Sequence, residues 1–123
     1  HKALKSKKVE CFLNESTALP MMYIDDAIKA TIDITEADAE DVRIRSSYNL
    51  SAMSFNPADL ANEIKKHIPE FEITYKPDFR QEIADSWPSS IDDSPARKDW
   101  GWQHQYDIPE LVETMLSKLK DIG

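Results

Sequence analysis

Few side chains here have both the chemistry and the spacing to build a reactive site. His1, His67 and His104 are scattered, with no second histidine or cysteine three or four residues away, so no metal site is expected. His67 falls near a predicted helix end, where a positive charge meets the negative end of the helix dipole. The lone cysteine, Cys11, has no partner for a disulfide or a metal, and in "VECFL" it alternates with Val9 and Leu13 as a small inward-facing hydrophobe. A phenol with a lysine four residues on would make a general base, because the ammonium lowers the phenol's pKa. Tyr23, Tyr48, Tyr75 and Tyr106 are followed at that spacing by Ala27, Ala52, Phe79 and Glu110, so none qualifies. The pairs Asp25/Asp26 and Asp92/Asp93 imitate an acid–base or magnesium site. Both stand just before predicted helices, which makes capping the expected role. Gly101 and Gly123 are the only glycines, too few for a dinucleotide fingerprint or a phosphate loop. No catalytic, cofactor-binding or metal-ligating residue is assigned.

One segment stands apart. "FRQEIADSWPSSIDDSPARKDWGW", Phe79 to Trp102, holds all three tryptophans among Asp85, Asp92, Asp93, Asp99, Arg80, Arg97, Pro88 and Pro95. Such a stretch is too polar to be core. Trp87, in "ADSWPSS", has two readings: a half-buried indole packing a loop, or a pocket wall that joins an apolar face to one N–H donor. Trp100 and Trp102 flank Gly101, which permits a tight turn, and both read as packing anchors.

The elements that must position these residues belong to a small acidic chain. With 123 residues it has room for one domain and a core. Apolar residues at 41 % and charged residues at 31 % favour a globular class over disorder. The net charge of −8 argues against nucleic acid, whose phosphates call for a basic surface. The basic cluster Lys2, Lys5, Lys7 and Lys8 reads as a solvated helix end. A single cysteine fits a reducing compartment. No apolar run approaches a membrane span and no signal peptide is recognised. "HKALKSKK" reads as the last turns of a helix whose start is missing, so the expectation is a cut chain.

Periodicity then gives the order of elements. "KKVECFL" alternates as a strand, "NESTA" turns, and "LPMMYI" is a second extended segment. "DDAIKATIDIT" is a helix with Ile28 and Ile32 four apart on one side, and "VRIRSSYNLSA" is predicted as a strand. In "SFNPADLANEIKKHI", Asn56 is the N-cap, Pro57 takes the first helical position, and Phe55 with Leu60 can staple the start. Leu60, Ile64 and Ile68 recur every fourth residue, and Pro69 ends the helix. "FEITY" is a strand with Phe71, Ile73 and Tyr75 on one face. "DFRQEIAD" and "DDSPARKDW" are short helices. The last helix opens at Asp107, with Glu110 in capping-box relation, and carries Leu111, Met115 and Leu119 with Val112 and Leu116 beside them. Strands alternating with helices predict an α/β fold, with about four short strands in a sheet that continues outside this chain.

Taken together, "PMMYIDDAIKATI", the long run "SSYNLSAMSFNPADLANEIKKHIPEFEITYKPDFRQEIADSWPSSIDDSPARKDWGW" and "YDIPELVETML" resemble the C-terminal part of the L-threonine 3-dehydrogenases. These are extended short-chain dehydrogenases related to the nucleotide-sugar epimerases and dehydratases. The resemblance covers nearly the whole chain. Its "DFRQEIADSWP…IDDS…ARxDWxW" run is specific, whereas "YIDDA" is shared more widely.

The resemblance implies a two-part enzyme, with an N-terminal NAD-binding Rossmann domain absent from this chain and residues 1–123 forming a substrate-side fragment. Serine, tyrosine and lysine of the absent domain would carry the catalysis. The hydroxyl of L-threonine would lose its proton to the tyrosinate while hydride leaves the same carbon for NAD, giving 2-amino-3-ketobutyrate. The resemblance further implies a homodimer when complete, in the cytoplasm or, in a eukaryote, the mitochondrial matrix. Carried over residue by residue, only Trp87 of "DSWP" matches a family site residue, at the substrate pocket. Two alternatives stand beside this reading. One is a related epimerase or dehydratase acting on a nucleotide sugar, for whose diphosphate the segment offers mainly Arg80 and Arg97. The other is a non-enzymatic binding module.

Overall fold

The computed structural model describes residues 1–122. The N-terminal lysines form a short helix, α1 (Lys2–Lys5), and the chain turns through Lys7 in the left-handed region (φ 57) into strand β1 (Lys8–Cys11). Strand β2 (Leu19–Met21) leads into helix α2 (Ile24–Glu36), and a long irregular segment ends in strand β3 (Met53–Phe55). Helix α3 (Pro57–His67), strand β4 (Glu72–Tyr75), helices α4 (Arg80–Asp85) and α5 (Ser94–Trp100), and the long α6 (Ile108–Ile122) follow.

The strands form two separate pairs. β1 runs parallel to β4, from Lys8 opposite Glu72 to Cys11 opposite Tyr75. A parallel pair needs a crossover, and α3 supplies the helix of that connection. β2 runs antiparallel to β3, with Leu19 opposite Phe55 and Met21 opposite Met53. Strands β1, β2 and β4 fall where the sequence pattern places them, but the single sheet expected is not formed among the described residues: β2 pairs antiparallel with β3 and not with β1, leaving two separate two-stranded sheets.

Two small cores result. In the first, Ala3, Ala61 and Phe71 are buried, with Val9, Ile64, Ile68 and Ile73 packed around them, so α3 lies on the parallel pair. In the second, Ala30 and Ala96 are fully buried with Trp102, and Met22, Tyr48, Leu50 and Trp100 surround them. Alanine at both helix positions is what lets an indole lie between α2 and α5. Helix α6 buries Val112 and Leu116, while Met115, on the neighbouring row, is 40 % exposed.

The sequence reading needs correction in two places. "VRIRSSYNLSA" contains no strand; strand pairing starts only at Met53. Two of its amides, Ile44 and Ser51, donate to side chains instead of to a ladder. The Tyr48 hydroxyl accepts from the Ile44 amide at 3.0 Å and donates to Asp99 at 2.8 Å, and Arg45 donates to the Ala39 carbonyl at 3.0 Å. The second concerns α2. Ile28 and Ile32 do share a side, but with Ile24 they form an outward stripe, 50–60 % exposed, and the buried side is that of Asp26 and Ala30.

The start of α3 matches the sequence in detail. Asn56 accepts from the Asp59 amide at 2.8 Å, and the Asp59 carboxylate accepts from the Asn56 amide at 3.3 Å, a reciprocal cap with Pro57 at the first helical position. Asn56→Ala should therefore lower stability by about 0.5–2 kcal/mol. Urea titration checks this, and an unshifted midpoint would show that the cap contributes nothing.

Candidate functional site

The tryptophan-rich segment folds as helix, loop, helix and turn, and each part is fastened to a different element. Helix α4 is docked through Gln81, whose side-chain oxygen accepts from the Asn14 amide at 2.8 Å and whose nitrogen donates to Thr17 Oγ1 at 2.9 Å. At its first residue, Arg80 makes a two-pronged pair with Asp78 (Nε to Oδ1 3.0 Å, Nη2 to Oδ2 2.6 Å) and lies 3.5 Å above the Phe12 ring. Hydrogen bonds from the Arg80 side chain and amide hold the Asp78 carboxyl below the usual carboxylate range.

Helix α5 ends where Gly101 adopts the left-handed conformation (φ 73), which turns the chain so that the Trp102 amide reaches the Ala96 carbonyl at 3.3 Å. This glycine is a helix cap and not part of a phosphate cradle. Trp102 then enters the core with no exposed surface, donating from Nε1 to the Ser51 carbonyl at 2.9 Å and to Asp93 Oδ2 at 3.1 Å.

Asp93 is the centre of this arrangement. Its Oδ1 accepts from Arg97 Nε at 2.9 Å, and its Oδ2 accepts from the Ser51 amide at 3.2 Å as well as from Trp102. Burial pushes the carboxyl up, but the Arg97 guanidinium and the Ser51 amide outweigh it, and the net shift is downward. Arg97 also lies 3.1 Å from His104 Nδ1. A guanidinium only donates, so Nδ1 accepts and the ring proton sits on Nε2, which donates to Asp107 Oδ1 at 2.9 Å.

The paired carboxylates thus divide their work in a way spacing alone does not reveal. Asp92 caps α5, accepting from the Ser94 amide at 3.0 Å and from the Ser94 hydroxyl; these bonds, the hydroxyl's first, hold its carboxyl low. Asp93, in contrast, makes no side-chain cap. Asp26 is fully buried and accepts from the amides of Gln105 (2.8 Å) and Tyr106 (3.0 Å), while Tyr23 is the N-cap of α2. The capping expectation fails for Asp26 and Asp93 because their donors include groups far along the chain. Among the described residues, no group of three or more His, Cys, Asp or Glu is placed to hold a metal ion.

Trp87 stands between the fastened parts. Its amide donates to the Ala84 carbonyl at 3.1 Å at the end of α4, Pro88 follows, and the Ser89 carbonyl accepts from the Ser54 hydroxyl of β3. The side chain is 60 % exposed. The result is an open indole on a loop held at both ends. It is not among the residues lining the apolar cavity of about 230 Å³ between α3 and the strands, where Cys11, Val9 and Leu13 lie.

The chain as a whole is similar to known proteins in sequence and in fold. Mitochondrial L-threonine 3-dehydrogenase of Sus scrofa is 60 % identical over 116 residues, covering 94 % of this chain and 31 % of the relative. The crystal structure of L-threonine dehydrogenase from Phytophthora infestans superposes with a TM-score of 0.94 at 49 % identity, covering 99 % of this chain and 39 % of that one. The chain is homologous to the L-threonine 3-dehydrogenases over nearly all of its own length. It corresponds to the C-terminal part of these proteins and spans about a third of the length of the curated relatives it matches. An uncharacterized epimerase/dehydratase of Staphylococcus haemolyticus is 43 % identical over 120 residues, covering 97 % of this chain and 38 % of the relative. No family model matches the chain. The α/β expectation and the family resemblance both hold.

Because the Asp93 carboxyl is held low, its ion pair contributes stability that is complete above the ordinary aspartate range and is lost as pH falls through the lowered value. Asp93→Asn should lower stability by about 1–3 kcal/mol at pH 7. The gap between the two proteins should narrow as pH falls below about 4. Denaturation midpoints at pH 7 and pH 3 check both the sign and the window; a gap that widens on acidification refutes the assignment.

Proposed function

We propose that the polypeptide carrying this chain is an NAD-dependent L-threonine 3-dehydrogenase, converting L-threonine to 2-amino-3-ketobutyrate, and that this region supplies its substrate-side wall. The 60 % identity to the Sus scrofa enzyme carries the reading. In it, an N-terminal Rossmann domain holds NAD and the catalytic groups. The residues present here do not fit NAD: Gly101 is spent on a helix cap, and no glycine-rich turn faces a helix start. The role left to this chain is to shape the pocket and exclude water.

Trp87 is the residue we assign to the substrate side. Its open indole, on a loop held by α4 and by Ser54, supports a wall that meets a ligand from outside this region. A homodimer and, given the names of the Sus scrofa and Bos taurus relatives, a mitochondrial matrix location belong to the same proposal. No helix of the described residues is long and apolar enough to cross a membrane. A nucleotide sugar fits this region less well, because the two arginines of the segment are already paired, Arg80 with Asp78 and Arg97 with Asp93.

Trp87→Ala in the full-length polypeptide should cut kcat/KM for threonine by about 2–4 kcal/mol of transition-state binding, with the KM for NAD and the Tm nearly constant. Trp102→Ala should do the reverse, lowering stability by about 3–5 kcal/mol through the loss of a fully buried indole. Steady-state kinetics with thermal melts separate the two, and exchanged phenotypes would mean that the indoles have exchanged roles. The 123-residue chain alone should form no NADH from threonine and NAD; absorbance growing at the NADH band would refute the division of labour.

A further inference from the structure

We infer that Ser54 is a positioning residue for substrate recognition, acting through the loop that carries Trp87. This rests on the assignment of Trp87 to the substrate side.

Three observations lead there. First, Trp87 is 60 % exposed, and among the described residues its only hydrogen bond is from its amide to the Ala84 carbonyl. Its position must come from the backbone on either side. On the N-terminal side, α4 ends in Ser86, whose amide and hydroxyl both bond the Ile83 carbonyl, at 3.2 Å and 2.7 Å. On the C-terminal side, the next side-chain tie is the bond from Ser54 Oγ to the Ser89 carbonyl, two residues beyond the indole.

Second, that tie leads to a rigid support. Ser54 is the middle residue of β3, paired opposite Pro20, with Met53 and Phe55 buried on either side of it. Proline opposite Ser54 has no amide to offer, and the Ser54 side chain points away from the buried face, toward the loop. Third, the same stretch of chain holds the far end of the loop, through the Ser51 amide on Asp93. The loop is therefore gauged against Ser51–Ser54 at two points, one polar and buried at Asp93, one exposed at Ser89.

These two points differ in consequence. Asp93 also holds Trp102 and Arg97, so its loss would disturb the core. The Ser54 hydroxyl serves the loop alone, so its removal should free Pro88 and Trp87 while the fold persists. A serine on the outward face of a three-residue strand gives no sequence signal for such a role.

The test is Ser54→Ala in the full-length enzyme, beside Trp87→Ala, the double variant and Ser54→Thr. Ser54→Ala should raise the KM for threonine about five-fold, roughly what one neutral hydrogen bond supplies. The KM for NAD should hold steady. The double variant should be no worse than Trp87→Ala alone, since the serine acts through the indole. Ser54→Thr, which keeps a hydroxyl, should restore most of the loss. If Trp87→Ala impairs threonine use and Ser54→Ala does not, the positioning role is wrong and the substrate-side reading survives. A silent Trp87→Ala overturns both. Equal losses toward threonine and NAD with a fallen Tm would reduce Ser54 to a structural residue and overturn the inference.

Discussion

A carboxylate taken out of water must be repaid in hydrogen bonds, and Asp93 imposes that requirement on the centre of this chain. Its two oxygens collect the Arg97 guanidinium, the Ser51 amide and the Trp102 indole N–H, donors from three different stretches of sequence. A buried charge without such partners is strongly destabilising, so the segment before β3, helix α5 and the turn after it must all arrive at one point. Once they do, the indole has its own donor satisfied twice and can be sealed completely between Ala30 of α2 and Ala96 of α5.

A second buried carboxylate repeats the device at the other end of α2. Asp26 accepts the amides of Gln105 and Tyr106, which fixes the chain leading into α6; Tyr106 then lies against Tyr23, ring centroids 4.5 Å apart, and Lys118 of α6 donates to the Tyr23 hydroxyl at 2.7 Å. Hydrophobic contact alone tolerates sliding, whereas a carboxylate shared between two specific amides does not. With cores built on a few alanines and single aromatic residues, this chain relies on polar hubs to specify which surfaces meet.

Local signals were the legible ones. The cap of α3 could be read from Asn56 and Pro57 because its partner, the Asp59 amide, lies three residues on, although the answering bond from the Asp59 carboxylate was not foreseen. The β1 and β4 strands showed in their alternation. What escaped was non-local. Asp26 and Asp93 looked like caps, since position before a helix is visible in sequence while partners 79 residues away are not. The false strand at "VRIRSSYNLSA" had alternation, but Tyr48 and Leu50 pack on the cluster of Ala30, Ala96 and Trp102 while Ile44 is exposed, and the Ile44 amide is met by the Tyr48 hydroxyl. The outward isoleucines of α2 mislead in the same way. Helical spacing names a face, and only the partner tells which face is buried. Trp87 stood out as a tryptophan in a polar, proline-stiffened loop and the family resemblance favoured its substrate-side reading, while nothing in the spacing around it points to Ser54.

The three tryptophans of one short segment show how burial and donor satisfaction sort equal side chains into different roles. Trp102 has both its ring buried and its N–H paired, so it is committed to the fold. Trp100 is half-buried, edge-on to Tyr48 at 5.8 Å, and its N–H finds no acceptor among the described residues, a tolerated loss at the margin of the core. Trp87 has neither burial nor commitment, although its backbone is among the better-fastened stretches of the surface. Exposing an aromatic side chain is unfavourable, and fixing a loop costs conformational entropy; a segment that does both gains nothing for its own stability. On the proposed substrate-side role, the missing face of the indole would be supplied by what binds there, and a pre-fixed wall would spare that ligand the cost of ordering it.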